Sequence, residues 1–133
     1  MARALSIDAS FLIDLERERS LAQDGPAHRF LRREPAAELA LATVALGELA
    51  EGYGDAGHPA LSAIRRSHRL LAVDDEVAIA FGRVTRELRA SGQLIGTNDL
   101  WIAATSLRHG LPLVTADVER FARVGGLEVL GYR

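Results

Sequence analysis

The chain has 133 residues, 48% of them hydrophobic and 26% charged, which suits one folded domain burying about 68% of its unfolded surface and excludes a disordered chain. It has no cysteine, so a disulfide scaffold and a thiolate zinc site are both excluded. The net charge is −2 and all sixteen basic residues are arginine, which removes any global field drawing in nucleic acid and any mechanism that needs a catalytic lysine.

In chain order, Ala4 to Ile7 is a short apolar run ending in Asp8, and Ser10 opens a segment with Phe11, Leu12 and Leu15 at helical spacing. The pattern predicts a strand followed by a helix. Asp8 and Asp14 interrupt the opening before a signal-peptide core accumulates, and nowhere do ~18 apolar residues run together as a spanning helix needs. A cytoplasmic protein is expected. Asp24-Gly25-Pro26 breaks the first helix, Ala27 to Arg33 forms a short basic helix, and Pro35 stops it.

A second strand is expected over Leu39 to Ala42. Thr43 is then a candidate N-cap for a helix to about Gly52, with Leu46, Leu49 and Tyr53 on one stripe and Glu48 and Glu51 opposite. After a loop at Gly54, Gly57 and Pro59, Ala60 to His68 reads as helix and Leu70 to Val73 as a buried apolar run. Asp74-Asp75-Glu76 starts a long helix to Ala90, with Val77, Phe81, Val84 and Leu88 on one stripe and Ser91-Gly92 closing it. Phe81 and Trp101 are expected in the core. Gly96-Thr97-Asn98 precedes a largely buried helix from Asp99 to Arg108, Leu113-Val114 makes a strand, Asp117 opens a helical turn carrying Phe121, and Leu127 to Leu130 makes the last strand. Strands alternating with helices imply an α/β class: a three-layer α/β/α sandwich around a mostly parallel four- or five-stranded sheet, one domain over residues 1–133.

Asp8 and Asp117 follow strands, and Asp99 opens a helix. At the carboxyl edge of a parallel sheet such residues can meet although they are far apart in sequence. Carboxylates brought within ~4 Å repel by on the order of 4 kcal/mol per pair at an effective dielectric of ~20, so a converged set needs a cation or a proton. An all-oxygen set without cysteine or paired histidines favours Mg²⁺ or Mn²⁺, and such ions suit hydrolysis of a phosphate ester. Taken singly, Asp8, Asp99 and Asp117 are equally readable as helix caps, and Glu48 as a solvated side chain. Their combination carries the signal.

Four segments resemble the motifs of PIN domains: IDASFLIDL at 7–15, TVALGELAEGY at 43–53, IGTNDLWIAA at 95–104 and LVTADVERF at 113–121. Order, spacing and length resemble the VapC-like toxin ribonucleases. The resemblance implies a metal-dependent endoribonuclease acting on RNA, with Asp8 and Asp99 as central Mg²⁺ or Mn²⁺ ligands, Glu48 reaching the metal directly or through water, and Asp117 completing the pocket. It also implies that Ser10 and Thr115 hydrogen-bond the carboxylates or their waters. Asn98 is either a third such residue or a helix cap. Asp14 and Glu51 have no counterpart role and read as surface or capping residues. The same resemblance implies a homodimer held inactive by a small antitoxin protein of the VapB type, which the helices near Leu12, Leu15, Leu46 and Tyr53 could accept.

Arginines cluster at Arg29, Arg32 and Arg33, at Arg65, Arg66 and Arg69, and at Arg83, Arg86 and Arg89. They could contact RNA phosphates or simply face solvent beside acids. His28, His58, His68 and His109 have no ligand spacing. A receiver domain or an aspartyl phosphatase would need a lysine that the chain lacks, and a ribonuclease H-like nuclease would need early antiparallel hairpins. The remaining alternative is a catalytically silent module of the same fold that binds RNA or protein.

Overall fold

Five short strands, all parallel, form the centre of the molecule in the order β3-β2-β1-β4-β5. The computed structural model describes residues 3–133; Met1 and Ala2 of the expected domain lie outside the described residues. The elements are β1 (Ala4–Ile7), α1 (Ala9–Ser20), α2 (Pro26–Arg33), β2 (Glu38–Ala42), α3 (Thr43–Tyr53), α4 (Pro59–Ser67), β3 (Arg69–Leu71), α5 (Asp75–Ala90), α6 (Thr97–His109), β4 (Leu113–Thr115), α7 (Val118–Phe121) and β5 (Val129–Gly131).

The strands are apolar because the sheet is covered by helices on its faces. Leu5, Ile7, Leu41, Leu113 and Val114 are fully buried, and Phe11 and Phe121 fill the space between strands and helices. Ser6 is also fully buried at the centre of β1, where it is satisfied by the Ser106 hydroxyl of α6 at 3.0 Å.

The topology creates a switch point. From β1 the chain steps outward to β2 and β3, then returns across the sheet to place β4 on the other side of β1. The connections at the carboxyl ends of β1 and β4 therefore diverge and leave a crevice between them, the usual ligand position of such sheets. Asp8 N–H still donates to the Val114 carbonyl at 3.4 Å, so the two strand ends stay tied beneath that crevice.

Several local expectations shift by a residue or two. Ala42, not Thr43, caps α3, and no side chain bonds the cap there, because β2 runs directly into the helix and leaves no room for a capping turn. Asp99 is the third residue of α6, whose cap is Gly96. The last strand starts at Val129 instead of Leu127, since a turn through Gly126 (φ 84°) occupies the intervening residues. Val73 is 42% exposed, so the apolar run after α4 is buried only around Leu71. Phe81 and Trp101 are only partly buried and stack on each other, with ring centroids 3.8 Å apart and planes at 15°. They join α5 to α6 at the margin of the core.

Asp14, expected as a surface or capping residue, is instead buried. It accepts hydrogen bonds from the Tyr132 hydroxyl at 2.7 Å and from the Arg133 guanidinium at 2.8 Å. The partners come from more than a hundred residues away, so nothing near Asp14 in the sequence marks its role. Tyr132 packs edge-on against Phe11 at 4.9 Å, which continues the same tie into the core.

Candidate active site

Asp8 lies just past the end of β1 and is the N-cap of α1, accepting from the Phe11 N–H at 3.2 Å. Capping and site roles are not alternatives here, because a cap at a strand end turns its carboxylate into the crevice. Its two oxygens are held by two hydroxyls: Ser10 Oγ donates to Oδ1 and Thr115 Oγ1 donates to Oδ2, each at 2.6 Å. Thr115 is fully buried at the end of β4 and accepts in turn from the Asp117 N–H at 3.1 Å. One buried hydroxyl thus fixes Asp8 and the turn that carries Asp117.

Burial raises the pKa of Asp8 above the ordinary carboxylate range; the bonds from Ser10, Thr115 and Phe11 pull it back, and the charge of Asp99 adds to the rise. The physical cause is a carboxylate withdrawn from water beside a second one. Glu48, half-buried on α3, is also raised, first by burial; a hydrogen bond with Asn98 opposes this, and the charges of Asp99, Asp8 and Glu51 reinforce it. These mutual perturbations place Asp8, Glu48 and Asp99 within one electrostatic neighbourhood. Asn98 itself is exposed in the first turn of α6 and is not the cap of that helix, which is Gly96.

Asp117 joins the group through an arginine absent from the sequence-based expectation. Arg120 Nη1 lies 2.6 Å from Asp99 Oδ2, and Arg120 Nη2 lies 2.8 Å from Asp117 Oδ2. Asp117 also caps α7 through the Arg120 N–H at 3.2 Å. The one legible sign of this arrangement was the i, i+3 spacing of Asp117 and Arg120 just after a strand; its link to Asp99 needs the tertiary fold.

All seven sequence-predicted residues therefore meet at the carboxyl edge: Asp8, Ser10, Thr115, Glu48, Asn98, Asp99 and Asp117. Among the described residues, however, no three His, Asp or Glu side chains are placed so that they could together hold a metal ion. The donor set is nevertheless the one a hard divalent ion takes, oxygen throughout. A guanidinium already stands between two of the carboxylates. Asp8, with both oxygens engaged by neutral hydroxyls, has no cationic partner of its own among its hydrogen bonds.

The arginine clusters do not act as free groups throughout. Arg32 forms a two-point contact with Asp24 at 2.6 and 2.8 Å, Arg83 pairs with Glu87, and Arg69 lies 3.6 Å from Glu38. Two of the histidines make structural contacts: His28 Nδ1 donates to the Glu18 carboxylate at 2.7 Å, and His58 stacks on Tyr53 at 4.3 Å between ring centroids. Beside Glu48, the groove between α1 and α3 opens onto a cavity of about 350 Å³ lined by Ile13, Arg17, Leu49 and Tyr53.

Residues 5–127 match the family of the PIN domain. A relative named Ribonuclease VapC4, from Mycobacterium tuberculosis, is 34% identical over 100 residues, covering 70% of this chain and 76% of its own length. In fold, the chain is similar to VapBC-1 from nontypeable Haemophilus influenzae, with TM-score 0.80, 24% identity and coverage of 97% and 98% of the two chains. It is also similar to VapBC-5 of Mycobacterium tuberculosis, a member of the VapBC family of toxin-antitoxin systems, with TM-score 0.64, 27% identity and 98% of both chains covered.

Proposed function

We propose, from the premise that this chain belongs to the PIN-domain family, that it is a metal-dependent endoribonuclease and the toxin of a type II toxin–antitoxin pair. The observation that carries the reading is the meeting of acids from four distant segments around Asp8, a buried carboxylate whose two oxygens are oriented by Ser10 and Thr115. Structural stability gives no reason to gather like charges at a crevice. A site for a cation and a phosphodiester does.

In this reading Asp8 and Asp99 are the ligands of Mg²⁺ or Mn²⁺, Glu48 reaches the ion directly or through water, and Asp117 completes the set. When bound, the ion supplies an activated water and offsets charge developing on the phosphodiester. Thr115 and Ser10 keep both Asp8 oxygens in one plane and one direction, which preserves ligand geometry and hinders protonation of a carboxylate that burial otherwise favours in its neutral form. Asn98 holds Glu48 in place. The 1–133 chain acts as a single domain, working as a cytoplasmic homodimer; among the described residues no helix is long and apolar enough to cross a membrane.

The partner is a small VapB-type antitoxin, as the toxin-antitoxin complexes of similar fold suggest. The α1–α3 groove, with Ile13 46% exposed on its rim, would take an apolar partner segment adjacent to Glu48. Purified protein should cleave RNA with Mn²⁺ or Mg²⁺ and stop when a chelator is added, and Asp8→Asn should be inactive while keeping its fold. RNA cleavage that continues without metal or in that variant refutes the mechanism. Intact metal binding without cleavage would instead leave a silent binding module.

A further inference from the structure

Arg120 is the one cationic side chain whose contacts reach into the acidic pocket among the described hydrogen bonds and ion pairs: its guanidinium spans Asp99 at 2.6 Å and Asp117 at 2.8 Å. It approaches from α7, a single helical turn after β4, and its side chain is 47% exposed. Asp99, by contrast, is only 20% exposed, so the pair sits at the rim with the acid inside and the arginine outside. The contact with each acid goes through a different guanidinium nitrogen, a two-armed bridge and not a fork on one carboxylate.

This bridge has two consequences. It neutralises part of a pocket whose carboxylates otherwise repel, and it engages an oxygen of Asp99 and one of Asp117 that a metal would need. Ion pairs this exposed are weak, so a divalent ion can replace the arginine at small cost. Once released, the guanidinium remains on the rim of the same pocket, with five N–H donors and no carboxylate to satisfy them. Its planar donor geometry then matches a phosphate.

We propose that Arg120 is an exchangeable counter-ion: it occupies the acidic pocket in the metal-free protein, is displaced from Asp99 and Asp117 when a divalent ion binds, and then becomes a ligand for a substrate phosphate. The inference rests on the metal-site reading above and assigns a positioning and substrate-binding role to a residue outside the acidic set. It also gives the order of events a cause. RNA binding improves after metal binding, because only then is this cation free.

The test uses Mn²⁺ alone, titrated calorimetrically into the wild type, Arg120→Met and Arg120→Lys, and then fluorescence anisotropy of a labelled single-stranded RNA with each protein held in Ca²⁺ to limit turnover. Arg120→Met should bind Mn²⁺ about three- to tenfold more tightly yet bind RNA more weakly, with the log–log salt slope smaller by about 0.7, the value for one phosphate contact on a single strand. Arg120→Lys should lie between the two proteins in both measurements. A merely structural role would lower both affinities together.

Unchanged or weakened Mn²⁺ binding by Arg120→Met overturns the counter-ion role, and unchanged RNA binding overturns the phosphate role. If neither the wild type nor the variant binds Mn²⁺, the metal-site reading itself fails, an outcome distinct from two proteins that bind equally. In the wild type, the Arg120 side-chain ¹⁵N resonances should move when Mg²⁺ is added. Resonances that stay fixed at saturating Mg²⁺ also overturn the proposal, independently of any variant.

Discussion

Replacing Thr115 by valine removes one hydroxyl with little change in shape, and the contacts of that hydroxyl set the cost. Thr115 is fully buried, so no water takes over its bonds. Its donation to Asp8 at 2.6 Å is a bond to a charged acceptor, worth about 1.5–3 kcal/mol, and its acceptance from the Asp117 N–H at 3.1 Å is a neutral one worth about 0.5–1.5 kcal/mol. Thr115→Val should therefore destabilise the metal-free protein by roughly 2–4 kcal/mol at neutral pH.

The pH dependence distinguishes this cause from generic packing loss. The hydroxyl lowers the Asp8 pKa against the larger upward push of burial, so the variant's Asp8 pKa rises further above the unfolded value. A carboxyl with a raised native pKa binds its proton more tightly when folded, and stability then falls as pH rises from the ordinary carboxylate value through the raised one. The variant's deficit must be largest above that window and shrink below it, where Asp8 is protonated in both proteins. Urea unfolding at pH 7.5 and at the lowest pH where both fold would measure it, with Thr115→Ser as the control that keeps the hydroxyl. A deficit equal at both pH values, or a serine variant as impaired at pH 7.5 as the valine one, would refute the reasoning.

Other contacts lead to three further expectations. Because Asp8 and Glu48 both have raised pKa values, protons compete with the ion, and Mn²⁺ affinity measured by calorimetry should fall with decreasing pH at higher pH than an ordinary exposed carboxylate pair would show; affinity flat from pH 7.5 to 5 would contradict it. Gly25→Ala would drive a Cβ into the Glu18 carboxyl group, forcing off the side chain that accepts from the Ala27 and His28 N–H groups at 2.9 and 3.0 Å at the start of α2; a loss of about 2–4 kcal/mol in denaturant unfolding is expected, and a neutral result would disprove this capping role. Tyr132→Phe removes the hydroxyl that donates to buried Asp14 and should cost about 1.5–3 kcal/mol in denaturant unfolding; unchanged stability would contradict this tie between α1 and the end of the chain.

Asp8, Asp99 and Asp117 were legible before any coordinates from their positions after strands or at a helix start, whereas the roles of Glu48, Ser10, Thr115 and Asn98 came only from the resemblance to the PIN-domain motifs. A strand that ends in Asp followed by Ser, and one that ends in Thr with Asp two residues on, each place a carboxylate at a carboxyl edge and supply a hydroxyl of matching reach. Of the two readings of Asp8 and Asp117, the cap is present at both, and capping the following helix also turns each side chain toward the crevice, so the ligand reading stays compatible with it. Strand and helix positions were readable from apolar spacing, with errors at boundaries such as Thr43 and Leu127, where the direct run of strand into helix and the Gly126 turn decide where the element begins.

What the sequence determined by itself was the inventory: an oxygen-only set of acids without cysteine or lysine, carried on alternating strands and helices that close into a parallel sheet. Only the tertiary structure decided who pairs with whom. Asp14 reaches Tyr132 and Arg133, and Arg120 enters the crevice to bridge Asp99 and Asp117. Periodicity encodes which face of an element is buried, but a contact between charged groups depends on strand order and crossover, and those emerge only when the whole sheet is assembled.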